Sequence, residues 1–381
     1  MYNCIMRIVS IPRIAALNPI SWNALTNSSN PFIKHEFLSA LEQSRCVAPA
    51  SGWTPAHLVA MEDEQLLGAI PLYFKAHSWG EFVFDFAWAG AYERSGKAYY
   101  PKLIAAVPYT PATGPRLLVP PSPDAESITT ALVSAARDLA IEQNASSFHC
   151  LFPTQEEAAR LEASGYLIRH GCQYQWQNRD YRDFDHFLSS FSAEKRKKVK
   201  RERRRVREDG IAITVLDGAE VSPNLWQEFY RFYRGTATRK SGYAPLSLDF
   251  FQTVGRTMPE SVVLVLAQYR GRYVAAALSF RSKDSLYGRY WGVSHDFHSL
   301  HFELCYYTGI EYCIKHSLQR FEPGAQGEHK ISRGFLPTLT YSAHWLTEPV
   351  FHRAIQAFLA QEREQIRYHM AELSLHGPYK S

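Results

Sequence analysis

Residues 321–335 read FEPGAQGEHKISRGF: three glycines with Glu322, Glu328, His329, Lys330 and Arg333 in fifteen positions, directly after a helix-like segment. Glycine lets a backbone approach a ligand closely, while Glu, His, Lys and Arg side chains move protons and hold anions. A charged surface turn is the plainer reading. The place of the stretch in a larger repeat decides between the two. Sliding the chain over itself by 169 positions sets Gly165-Tyr166-Leu167 and Trp176 on Gly334-Phe335-Leu336 and Trp345. The same shift lays the helical pattern of 124–143 over 293–312, and the helix-forming 155–163 over 324–332. The latter, GAQGEHKIS, is poor helix material. An element given up for glycine and charge points to function.

The order of elements agrees with the repeat. In the first half the pattern predicts a helix at 31–42 and strands at 56–61, 66–74, 82–88 and 103–107. An amphipathic helix follows at 124–143, with Ile128, Leu132, Ala135 and Leu139 at helical spacing. A strand at 148–152 leads to a helix at 155–163, capped by Thr154 and stopped at Gly165. The second half predicts a helix at 192–209, strands at 211–216, 262–268, 273–281 and 285–292, a hairpin turn at Arg270-Gly271-Arg272, and a helix at 299–317. A long amphipathic helix closes the chain at 348–373, suited to packing in a core or to pairing two subunits. The expectation is a duplicated α/β domain with mixed sheets, divided into 1–178 and 179–381.

Composition sets the class. The 381 residues are 46% hydrophobic and 21% charged, with a net charge of +5, as in a globular chain that takes anionic ligands without demanding nucleic acid. Cys4, Cys46, Cys150, Cys172, Cys305 and Cys313 form no C-x-x-C pair, which argues against a zinc site or a disulfide framework. No apolar run approaches the roughly 18 residues of a membrane span, and MYNCIMRIVSIPRI lacks the apolar core of a signal peptide. A cytoplasmic protein is expected.

The segments NPFIKHEFLSALEQS, GWTPAHL, PLYFKAHSWGEFVFDFAWA, YYPKLIAAVPYTPATGPRLL, GRYWG, LHFELCYYTGIEYCI and EPGAQGEHKISRGF, between Asn30 and Phe335, resemble the FemAB-like N-acyltransferases of the wider GNAT superfamily. The resemblance implies two tandem GNAT-like lobes and transfer of an acyl or aminoacyl group from an activated donor to a substrate amine. It implies aminoacyl-tRNA or acyl-CoA as cosubstrate, no tightly bound cofactor and no metal, and a small-molecule or cell-wall-precursor amine as acceptor. One departure stands out. GNAT enzymes that bind acyl-CoA carry Q/R-x-x-G-x-G/A before a helix, where backbone N–H groups grip the pyrophosphate. This chain has SHDFHSLH and PPSPDAES at the two corresponding places.

Acyl transfer to an amine needs a base, an oxyanion donor and an anchor for an anionic carrier. Glu328 or His329 supplies the base, and Lys330 and Arg333 hold phosphate or carboxylate. Tyr290 is placed to protonate a leaving group, with Arg289 and Trp291 on the opposite side of its strand. His295, His298 and His301 lie three apart, as a metal site would need, but helix capping by His298 and Asp296 is the simpler reading. His298 and Glu303 are candidates to line the cleft, Glu303 on a polar stripe with Tyr307, Glu311 and Lys315. Asp85, inside an apolar run read as a strand, either pairs with Arg or Lys or binds an amine substrate. Ten basic residues between Lys195 and Arg207 form a helix that either steers tRNA or is simply solvated, with Val199 and Val206 turned inward. A second class of function stays open: a non-catalytic binding protein for tRNA or a cell-wall precursor.

Overall fold

The computed structural model describes residues 6–295, 297–325 and 327–380. The chain forms two compact units: the described residues up to Gly171 with Leu339–Arg367, and Cys172–Thr338 with the residues from Tyr368 onward. The sequence suggests one cut after residue 178; the chain instead crosses between units at three points.

The first unit contains β1 (Arg7–Ile11), β2 (Trp53–Pro55), β3 (His57–Glu62), β4 (Gln65–Ile70), β5 (Leu72–Lys75), β6 (Lys102–Ala105) and β7 (Ser147–Leu151). Strands β1, β3 and β4 make a small antiparallel sheet. Strands β6 and β7 run parallel, joined by the crossover helix Ala125–Glu142. That helix buries Ile128, Leu132, Val133 and Ala136 against the sheet. The capping of Gln155–Ala163 is as expected: Glu157 N–H donates to Thr154 Oγ1, and Thr154 N–H to Glu157 Oε2. The other oxygen of the buried Glu157 accepts from the N–H groups of Arg116 and Leu117.

β8 (Leu167–Gln177) carries the chain into the second unit, which adds β9 (Ile211–Asp217), β10 (Val262–Tyr269), β11 (Arg272–Arg281), β12 (Ser285–Val293) and β13 (Arg320–Glu322). β9 to β12 form an antiparallel meander. Arg270 and Gly271, at φ of 50° and 73°, make the expected tight turn between β10 and β11. β12 and β13 run parallel, and β13 pairs with the end of β8. β14 (Leu336–Leu346) returns the chain to the first unit, where Ser342–Leu346 pair antiparallel with β7. The order strand, helix, parallel strand, short helix, long strand therefore occurs twice, in β6–β8 and in β12–β14.

Three expectations need correction. The strand at 66–74 is two strands, because Pro71 lacks the N–H that would continue the ladder. The strand at 82–88 is absent; residues 86–94 form a helix instead. Here the apolar run misled, because Trp79, Phe82, Phe84 and Phe86 are exposed while Glu81 and Asp85 are buried. The helix at 299–317 is interrupted: Leu300–Phe302 and Thr308–Lys315 are α-helical, but Glu303–Tyr307 is a π turn, which shifts the phase of the side chains around it. Two further helices, Pro223–Ser241 and Leu248–Thr257, start at Ser222 and Ser247, whose hydroxyls accept the Leu225 and Phe250 N–H groups.

The basic helix Ala193–Glu208 buries Glu202 as well as Val199 and Val206. Glu202 accepts from Arg333 Nη2 at 2.8 Å and from the Tyr307 hydroxyl. Removing one partner of a buried ion pair strands the other, at a cost of about 3 kcal/mol or more. Glu202→Ala is therefore expected to lower the urea midpoint strongly, whereas Lys200→Ala, at an exposed pair with Asp185, hardly moves it. Equal midpoints for the two variants would contradict the assignment.

Candidate active site

A cavity of about 430 Å³ opens in the second unit between β11, β12, the helix Pro223–Ser241, the π turn and the glycine-rich loop. Two local features shape it. The β11–β12 register slips between Leu278 and Ser279, whose partners are Tyr290 and Gly288, so Arg289 is the extra residue of a bulge. Gly292 lets the helix come close, since a Cβ there would lie 2.1 Å from the Phe232 carbonyl carbon.

The loop brings two ionisable side chains, His329 and Lys330, to the cavity. Gly324 and Gly327 sit at φ of 98° and 109°, a region open to glycine. This conformation sends Lys330 inward, where its Nζ donates to the Gly324 carbonyl at 2.7 Å. Lys330 is 2% exposed. Burial, with Arg289 adding repulsion, pushes its ammonium down to about 7. His329 Nε2 lies 2.9 Å from the Tyr306 hydroxyl. Burial and then the charges of Arg333, Lys330 and Lys240 lower the imidazole below its ordinary range, so it is neutral at pH 7. His301, on the same wall, is pushed down to about 4, chiefly by burial. Lys240 and Tyr290 complete a lining that holds no carboxylate among the described residues.

Of the residues singled out in the sequence, His329, Lys330, Tyr290 and Arg289 meet at this cavity. Arg289 is buried and 3.4 Å from Glu322. Trp291 and His301 line it as well, and the remaining candidates lie elsewhere. Glu328 is exposed, 3.8 Å from His369. Arg333 is buried against Phe302, pairs with Glu202 and donates to the His329 carbonyl at 2.7 Å, so it fixes the loop from behind. Glu303 is buried against Arg203 at 2.9 Å. His298 is bonded to Ser299 and His295 to Ser294, and Asp296 lies outside the described residues. Among the described residues no three His, Cys, Asp or Glu side chains converge as a metal site.

Asp85 belongs to the first unit. Its carboxylate accepts from Lys102 Nζ at 2.5 Å and Tyr99 Oη at 2.6 Å. Burial pushes this carboxyl up, and the Lys102 ammonium more than offsets it, leaving it at about 2. An internal ammonium thus stands where a substrate amine would. The hydrogen bonds continue from Tyr99 to His149, to His344 at 2.7 Å, and on to Ser342.

Sequence reasoning missed Tyr306 and Lys240. The signal for Lys240 was available, in the basic last turn of a helix begun by Ser222-Pro223. Tyr306 left none, because its direction depends on the π turn.

A lobe built as a mixed sheet with a parallel β–α–β crossover and a cationic cleft at a bulged strand defines an α/β ligand-binding or transfer protein. More particularly, the chain belongs to the FemAB-like family, described as peptidoglycan biosynthesis/recognition, which it matches over residues 13–381. Its fold is a mixed α/β one in which the order strand, helix, parallel strand, short helix, long strand occurs twice. FemX shares it at a TM-score of 0.54 and 13% identity, over 89% of this chain and 98% of FemX. A conserved protein of unknown function from Bacteroides thetaiotaomicron follows at 0.51 and 10%, over 89% and 99% of the two chains. A tandem GNAT protein of the clavulanic acid biosynthesis pathway is more distant, at 0.45 and 13%, over 91% and 99%. No curated protein matches the sequence. No helix of the described residues is long and apolar enough to cross a membrane.

Lys330 makes a stability test. Its ordinary value is 10.5 and its folded value about 7, so between these the unfolded chain binds more protons and stability rises with pH. Below about pH 7 the full cost of the buried ammonium is present. Lys330→Met is therefore expected to melt above the wild type by roughly 2–4 °C at pH 6, with the advantage shrinking towards pH 10. A lower melting temperature than wild type at pH 6 would refute the buried ammonium.

Proposed function

We propose that the second-unit cavity is an N-acyltransferase site, in which a substrate amine attacks an activated acyl or aminoacyl group. The observation that carries this reading is the pairing of a neutral His329, hydrogen-bonded to Tyr306, with the buried Lys330 on one cavity wall. His329 takes the proton released when the amine adds to the carbonyl carbon. The protonated Lys330 faces the oxyanion that forms, and Arg289 adds positive charge behind it. Tyr290 gives a proton to the leaving oxygen or sulfur. The acid-free lining suits a donor on an anionic carrier, aminoacyl-tRNA or acyl-CoA, and the family description supports a cell-wall-precursor amine as acceptor. We place the reaction in the cytoplasm; the five described cysteines are free thiols, as a reducing compartment favours.

The assay offers alanyl-tRNA and acetyl-CoA as donors and a lysine-containing cell-wall peptide as acceptor. His329→Gln is expected to lower kcat about 100-fold, the low end of the usual span for proton transfer, and Tyr306→Phe by less, about 10-fold. Glu328→Gln leaves it near wild type. The rate rises with pH as His329, held below its ordinary range, loses its proton, and falls as Lys330 loses its own near 7, giving a bell. Ligand binding without turnover from either donor would favour the non-catalytic binding protein. A Glu328→Gln variant as damaged as His329→Gln would move the base off the cavity.

A further inference from the structure

The positive charge of this protein is concentrated on one helix. Residues 193–208 carry ten basic and three acidic side chains, a net of +7 in a chain whose total is +5. The helix takes no part in the transfer cavity, whose lining it does not share. It walls a separate groove of about 810 Å³ in the same unit, lined by seven Lys and Arg side chains and by Asp185 and Glu311 as the acids.

Some of these cations are used internally. Arg203 binds Glu303 and Glu311, Lys200 binds Asp185, and Arg204 reaches Glu208 at 3.4 Å. Arg196, Lys197, Arg201 and Arg207 have no ion pair among the described residues. Lys197 and Arg201, like Arg203 and Arg207, are one helical turn apart, where like charges repel. A folded helix that keeps such repulsion along a groove is suited to an anionic occupant.

We propose that this groove binds the sugar–phosphate backbone of a nucleic acid. From Arg196 to Arg207 the helix rises roughly 16 Å, the axial length of about five phosphates on one duplex strand. A bilayer fits less well. Every exposed position from Lys197 to Arg207 is Lys or Arg, and both valines are buried, so the helix has no apolar face to insert. The proposal goes beyond the transfer reading and stands or falls separately from it.

The test is fluorescence anisotropy of the full chain with a labelled RNA hairpin and a DNA hairpin of equal length, between 50 and 200 mM salt. Wild type is expected to bind at least one of them with Kd in or below the range of about 1–100 μM, with a log Kd to log salt slope of roughly three to four. Arg196→Gln, Lys197→Gln, Arg201→Gln and Arg207→Gln combined should weaken binding at least 100-fold and cut that slope by about three, close to one for each phosphate no longer neutralised. The same variant should keep its melting temperature and its transfer rate on a small donor. Preference between the hairpins identifies the sugar. No binding at 50 mM salt, an unchanged slope in the variant, or binding to phosphatidylserine vesicles with none to either hairpin overturns the proposal. Loss of transfer in His329→Gln with RNA or DNA binding intact separates this surface from the cavity.

Discussion

Glu202 holds the second unit's working parts in register. It is a carboxylate on the most basic helix of the chain, buried where a hydrophobic residue would ordinarily sit. One oxygen takes the Arg333 guanidinium and the other the Tyr307 hydroxyl. Arg333 in turn donates to the His329 carbonyl and lies 3.4 Å from the Phe302 ring centre. Three elements distant in sequence, the basic helix, the π turn and the glycine-rich loop, are tied at one point. His329, Tyr306 and Lys330, from the same loop and π turn, face the cavity. A charge in the interior is costly unless paired, and here the pairing sets the direction of the groups that face the cavity.

The units divide labour although they share a topology. In the first, charged groups sit inside: Lys75 and Lys102 stand opposite each other across β5 and β6, with Glu81, Asp85 and Ser78 closing around Lys102, while Glu81 Oε1 and Asp85 Oδ1 accept no hydrogen bond from the described residues. In the second, cationic groups line an open cavity with no acid among its described lining. The helix Gln155–Ala163, stapled by its capping box, corresponds in the repeat to a loop whose 3-10 turn Glu328–Arg333 is held by side chains from elsewhere. The same order of elements thus frames a charged interior in one unit and an open cavity in the other.

The repeat, the crossover helix and the capped helix after β7 were legible in the sequence because hydrophobic period and capping chemistry are local. The glycine-rich loop stood out by its composition, and His329, Lys330, Tyr290 and Arg289 do meet at a cavity. What the sequence could not convey was direction. Glu328 and His329 are neighbours, yet one faces solvent and the other the cavity, because a tight turn sends successive side chains apart. The aromatic run 82–88 looked like a strand because periodicity assumes apolar residues are buried; there, Lys102 drew the acids in and left the rings outside. Glu303 and Arg333 looked like ligands and are ion-paired supports, a distinction made by partners far along the chain.

The exchange of segments between the units sets an order of events during synthesis. β14 and most of the helix Pro349–Leu375 lie at the end of the chain, yet Leu339–Arg367 belong to the first unit. At ~5–20 residues per second, roughly 10–40 s separate the emergence of residue 171 from that of residue 367. Until residues 342–346 emerge β7 has no β14 beside it, and that edge of the β6–β7 pair waits for a strand that has not yet been made. The second unit, by contrast, has nearly all of its strands by Thr338. The unit whose translation begins first therefore keeps an open sheet edge until most of the second unit's residues have been made.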